Sequence, residues 1–70
     1  MNKIEGKVTN YNGSSGTIID KNNNKYLLLN HNIINNEQIN NNDIVTFIPE
    51  LFKTIEIEEK VATFIEKKQL

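Results

Sequence analysis

Hydrophobic and polar residues alternate from the start of this chain. In residues 3–11, "KIEGKVTNY", Ile4, Gly6, Val8 and Asn10 fall on one face and Lys3, Glu5, Lys7, Thr9 and Tyr11 on the other. A period of two with β-branched content predicts a strand with one buried face. Gly6 within it marks a bend or a close backbone approach. "NGSSG" reads as a hairpin loop, "TIID" as the return strand and "KNNNK" as the next turn. "YLLL" predicts a third strand, whose unbroken apolar run means that both faces are covered or that one is sticky. Residues 30–42 form a polar connection pinned by Ile33, Ile34 and Ile39. "DIVTFIP" predicts a fourth strand with Val45 and Phe47 on one face and Ile44, Thr46 and Ile48 on the other. Pro49 ends or edges it, because proline donates no ladder hydrogen bond.

The last third reads two ways. In "IEIEEKVATFIEKKQL", Ile57, Val61, Phe64 and Ile65 recur at i, i+4, i+7 and i+8, as on an amphipathic helix. The same letters hold a short strand, "VATFI", with Ala62 and Phe64 facing in. Periodicity leaves residues 50–66 open between the two. Closure favours the strand, since four strands leave an edge and half a core uncovered and a fifth closes a barrel. The expectation is an all-β fold, a small five-stranded antiparallel OB-type barrel forming one domain over residues 1–70, with a C-terminal helix over 50–66 as the alternative.

Seventy residues lie near the lower size at which a chain folds without staples. There is no cysteine, so disulfides and thiolate metal sites are excluded and stability rests on packing. No segment approaches the roughly 20 apolar residues that span a bilayer, and "MNKIEGKVTN" has no signal-peptide core. A soluble cytoplasmic chain is the expectation. Net charge is −1, from eight basic residues, all lysine, against nine acidic ones. Arginine, which forks onto phosphates and stacks on bases, is absent. The balance therefore lacks the basic excess usual in proteins that live on phosphate contacts. Asparagine runs such as "DKNNNK" fit AT-rich coding bias in tolerant loops. Asparagine also suits turns, because it accepts left-handed backbone angles.

Several stretches resemble the cold-shock domain, a family of about this length that binds single-stranded RNA and DNA. Gly6-Lys7-Val8-Thr9-Asn10-Tyr11-Asn12 is similar to its opening Gly-Lys-Val-x-Trp-Phe-Asn. Ser15-Gly16-Thr17-Ile18-Ile19-Asp20 stands where the family has Lys-Gly-Phe-Gly-Phe-Ile. Tyr26-Leu27-Leu28-Leu29-Asn30-His31-Asn32-Ile33 stands where it has Val-Phe-Val-His-Phe and Ser-x-Ile. Asp43-Ile44-Val45-Thr46-Phe47 and Lys60-Val61-Ala62-Thr63-Phe64 resemble its last two strands. The matches are core and turn positions. On the face where the family stacks bases on aromatics, this chain carries Asn10, Thr17, Ile19, Leu27, Leu29 and Asn30, and only Tyr11 keeps a ring. Each stacking platform is worth about 1–3 kcal/mol, so losing several turns a micromolar binder into a roughly millimolar one.

The resemblance implies weak, low-specificity binding of single-stranded nucleic acid by a surface of Lys7, Asn10, Tyr11, Thr17, Ile19, Leu27, Leu29 and His31. The other reading is a protein-interaction or dimerisation module. It rests on Ile19, Leu27 and Leu29 forming an exposed aliphatic patch, which residues 50–59, with Leu51 and Phe52, would bury if they folded over it. Monomer and homodimer are both open.

No other motif carries chemistry. Asp20-x-Asn22-x-Asn24 begins like a calcium loop but has Lys25 in place of the glycine and His31 in place of the final glutamate. His31 is the sole histidine and has no ligand companions. Asn12-Gly13-Ser14 matches a glycosylation acceptor, and Glu56, Glu58 and Glu59 read as a solvated charge run. Nucleophile, base and oxyanion groups nowhere come together. No enzyme, cofactor or metal is expected.

Overall fold

A computed structural model describes residues 2–68. Strands β1 (Ile4–Thr9), β2 (Ser15–Asp20), β3 (Lys25–Leu29), β4 (Ile44–Lys53) and β5 (Glu58–Lys67) close into a barrel in the order β1-β2-β3-β5-β4. This is the expected OB-type barrel, with one difference. Every pairing is antiparallel except the closing one between β3 and β5, which is parallel and joins Leu27 to Val61. Residues 58–67 are therefore strand and not helix.

Alternation fills the barrel. Val8, Ile18, Leu28, Val45, Phe47, Ala62 and Ile65 are fully buried, while Tyr26, Ile33 and Ile39 complete the core. The Tyr26 and Phe47 rings meet edge to face with centroids 4.9 Å apart, an arrangement that suits the ring quadrupoles. Gly6 is the close approach foreseen. A Cβ there would collide with Ile18 Cγ2 and lie 3.2 Å from Phe47 Cε1. The long connection contains two single 3₁₀ turns, Asn30–Asn32 and Ile34–Asn36, with Ile33 and Ile39 buried and Ile34 half-buried.

Left-handed backbone is concentrated on asparagine. Asn10, Asn23, Asn35, Asn36 and Asn42 all have positive φ, as does Phe64 at 51° among the described residues. Asparagine tolerates this region because its short amide bonds locally. The runs thus serve the turns between strands, whatever their coding origin. Asn10 ends β1, so the first strand stops at Thr9 and not at residue 11.

Phe64 corrects the expected inward set of the last strand. Between Thr46↔Glu66 and Ile48↔Thr63, β4 supplies Phe47 alone while β5 supplies Phe64 and Ile65. This is a β-bulge. It lets Ala62 and Ile65, three apart, both face inward and turns Phe64 out, where it is 54% exposed.

β4 and β5 are ten residues each and run beyond the barrel as a two-stranded arm closed by Thr54–Ile57. They give the molecule its long dimension, 39 Å against 24 and 21 Å. Pro49 does not end β4. It sits within the strand past the last β1 pair, on the edge that needs no donor.

Candidate nucleic-acid interface

The outer face of β1–β3 is set by register. Ile44, Lys7, Ile19 and Lys25 stand directly across from one another on β4, β1, β2 and β3. The next row is Thr9, Thr17, Leu27 and Val61, and Leu29 at the end of β3 pairs with Ser15. Each aliphatic on this face thus has a polar or cationic neighbour. The expected aliphatic patch is not formed: Ile19 lies between two lysines, Leu27 faces Thr17, and Ile19, Leu27 and Leu29 are half-buried. Residues 50–59 do not fold over it either, since all of them from Leu51 onward are exposed.

Tyr11 and Asn10 leave the face. With Asn10 in a left-handed conformation, the chain turns off the sheet, and Tyr11 packs partly buried against the core. Its N–H donates to Asn41 Oδ1 at 2.7 Å, its carbonyl accepts from Asn41 Nδ2, and its hydroxyl donates to the Gly13 carbonyl at 3.1 Å. Gly16 lies against its backbone, where an added Cβ would come within 2.7 Å of the Tyr11 Cα. The ring thus borders a depression with Glu37, Ile39 and Asn40, apart from the Lys7–Ile19–Lys25 row. His31 is exposed in the turn after β3. Of the eight candidates, Lys7, Thr17, Ile19, Leu27 and Leu29 share the face. Asn10, Tyr11 and His31 stand off it.

Three side chains not singled out in the sequence belong to the surroundings. Lys25 shares the parity of Leu27 and Leu29, so alternation alone could have found it. Ile44 and Lys21 join Lys7 and Ile19 around an open depression of about 880 Å³, and only register and the turn bring them there. A second groove sets Glu58 and Glu59 near Lys25, Thr17 and Leu27, putting negative charge along the β5 border.

The lysines divide by position. Lys3 pairs with Glu66 at 2.7 Å, Lys68 with Glu5 at 2.9 Å and Lys67 with Asp43 at 3.8 Å. Among the described residues, Lys7, Lys21 and Lys25 have no carboxylate within ion-pair distance, and neither do Lys53 and Lys60 on the arm.

The turn beside the depression is built on Asp20. Its carboxylate accepts from the Asn22 and Asn24 N–H groups, from Asn24 Nδ2 and from the Tyr26 hydroxyl. This is a turn whose acceptors are occupied by the chain itself. Desolvation alone would raise the Asp20 pKa, but the bonds from Asn24, Tyr26 and Asn22 outweigh it and hold the carboxyl below its ordinary value. Burial, with the bond to Asp20, pushes the Tyr26 phenol up. Asn12 likewise caps its own loop, accepting from the Ser14 and Ser15 N–H groups.

Among the described residues no group of three or more His, Asp or Glu side chains is placed to hold a metal ion. No described helix is long and apolar enough to cross a membrane. No family model, curated protein or solved structure matches the chain.

Proposed function

We propose that this barrel is a cold-shock-like module that binds single-stranded RNA or DNA, weakly and with little sequence preference, through the outer face of β1–β3. The observation that carries the reading is the division of the lysines. Lys3, Lys67 and Lys68 are neutralised by carboxylates, whereas among the described residues Lys7, Lys21 and Lys25 surround Ile19 without an ion pair. A polyanion gains most where cations are not already paired. Ile19, Leu27 and the threonine methyls offer apolar contact to bases without a stacking plane, so affinity is low and base selection slight. Glu58 and Glu59 repel phosphate from the β5 border and favour a path over β1 and β2.

An amide NMR titration with a short mixed-sequence oligonucleotide, at low and moderate salt, tests this. Shifts are expected at Lys7, Thr17–Ile19 and Lys25–Leu27. The slope of log affinity against log salt is expected near −2, from about 0.7 for each of three phosphates. Lys7→Glu should weaken binding, and reversing Glu58 and Glu59 to lysine should strengthen it. No shifts at millimolar oligonucleotide would retire the proposal. Protein docking is the second reading, and a different observation favours it. The large side chains most open to solvent, Leu51, Phe52, Ile55 and Ile57, lie off this face on the arm.

A further inference from the structure

We infer that the depression beside Tyr11 is a base-selecting subsite, which takes one pyrimidine of a bound single strand and prefers cytosine to thymine or uracil. The inference rests on the nucleic-acid reading of the β1–β3 face and adds base choice at a single position. The face itself offers lysines and aliphatic side chains, which hold phosphate and cover bases without reading their edges. The depression has a different chemistry, a ring together with a set of hydrogen-bonding groups.

Its volume is about 340 Å³, near the small end of the roughly 300–1,000 Å³ usual for small-ligand sites. That suits one base. Buried Ile39 supplies an apolar floor. The half-buried Tyr11 ring borders it, and its residue is held at three points by Asn41 and the Gly13 carbonyl. A wall fixed in this way costs little ordering when a ligand arrives. Unpaired bases are recognised by stacking on such rings and by bonds to their exposed edges. Tyr11 lies four residues beyond Lys7, at most about 14 Å along the chain. A strand anchored at Lys7 therefore reaches the depression.

Glu37 makes the choice between pyrimidines. Its Oε1 accepts from the Lys67 N–H at 2.9 Å, which ties the side chain to the end of β5. Among the described residues nothing donates to Oε2, and Glu37 lines the depression. A carboxylate oxygen only accepts. Cytosine presents the N4 amino group, a donor, where thymine and uracil present the O4 carbonyl. The first combination bonds, and the second sets two acceptors against each other. The side-chain amides of Gln38 and Asn40, which have no partner among the described residues, supply donors for the remaining acceptors of the cytosine edge. The negative charge of Glu37 also disfavours phosphate here, so the base and not the backbone enters.

Amide NMR titrations with oligodeoxycytidine and oligothymidine of equal length test the inference. Both are expected to shift Lys7 and Thr17–Ile19, whereas only the cytidine strand should strongly shift Tyr11 and residues 37–41. It should also bind at least about fivefold more tightly, for one charge-assisted hydrogen bond at a site open to water. Glu37→Gln keeps an acceptor for the Lys67 N–H and turns an amide donor to the place of Oε2. With an unchanged urea midpoint, it should abolish or reverse the preference. Tyr11→Leu should weaken both strands about fivefold, the loss of one stacked base. Equal affinities, with shifts on the face and none at 37–41, would overturn this subsite and leave the face standing. A cytosine preference untouched by Glu37→Gln would overturn it too. Failure of both strands to bind would retire the face and the subsite together.

Discussion

The barrel and its arm use the same kinds of residue in opposite ways. In the barrel, Phe47 is fully buried and each strand has two neighbours. In the arm, Phe52 and Ile57 are each 58% exposed and each strand has one neighbour. The barrel is locally and globally consistent, as a funnelled sequence should be. The arm is not, and departures of that kind concentrate where a chain meets something else. The contrast separates what holds the fold from what is left over for recognition.

Truncating the two phenylalanines gives the largest expected difference between the regions. Phe47→Ala removes the ring that packs on Tyr26 and should cost about 3–5 kcal/mol. A domain this size holds roughly 4–10 kcal/mol in all, so the variant should lose about half of its stability or more. Phe52→Ala should change stability by no more than about 0.5 kcal/mol, because most of its ring already meets water. Urea unfolding followed by circular dichroism measures both. Similar losses at the two sites would mean that the arm is packed against the barrel, and the comparison would collapse.

Much of the barrel was legible because its inner residues alternate. Val8, Ile18, Leu28, Val45 and Phe47 fall inward by parity alone. The last strand was ambiguous for a physical reason. Its bulge places Ala62 and Ile65 inward at a spacing of three, which mimics a helix as well as it does a strand. A glycine at position 64 would have announced the bulge, but phenylalanine hides it. The candidate site was legible in residue type and not in neighbourhood. Lys7, Ile19, Lys25 and Leu27 follow from alternation, whereas the placement of Lys7 and Lys25 on either side of Ile19 follows from register, which single-strand patterns do not encode. Tyr11 was misplaced because nothing in "TNYN" tells an extended Asn10 from a left-handed one.

Phe64 is the joint between the two regions, and its backbone supplies a smaller effect. A bulky side chain at φ 51° costs roughly 1–2 kcal/mol against a relaxed backbone. Glycine relieves that strain, though its freer unfolded chain returns about 0.5–1 kcal/mol of the gain. Phe64→Gly should therefore stabilise the fold by about 0.5–1 kcal/mol, seen as a higher urea midpoint. Loss of stability would show that the half-covered ring contributes packing, making Phe64 part of the barrel and not a strained residue kept at its outlet.

The smallest expected effect comes from comparing the two hairpin turns, at β2–β3 and at the arm tip. The first is tied to a carboxylate, Asp20. The second is closed by a neutral hydroxyl, with the Ile57 N–H donating to Thr54 Oγ1 at 3.0 Å. The Asp20 pKa is lower in the folded chain than its ordinary value near 3.8. Its stabilising contribution is thus present above about pH 4 and is lost as pH falls through the depressed folded value. The Tyr26 pKa is raised above 10.0, so at the alkaline end stability falls as pH rises through that value. Asp20→Asn should be less stable than the parent at neutral pH, with the gap narrowing at a pH well below 3.8. In amide exchange, the acid-induced loosening should appear first at Asn22–Asn24 and be absent at Thr54–Ile57. A gap of equal size at both pH values would show that Asp20 acts through its shape and not its charge, because an asparagine differs from a protonated aspartate by little else.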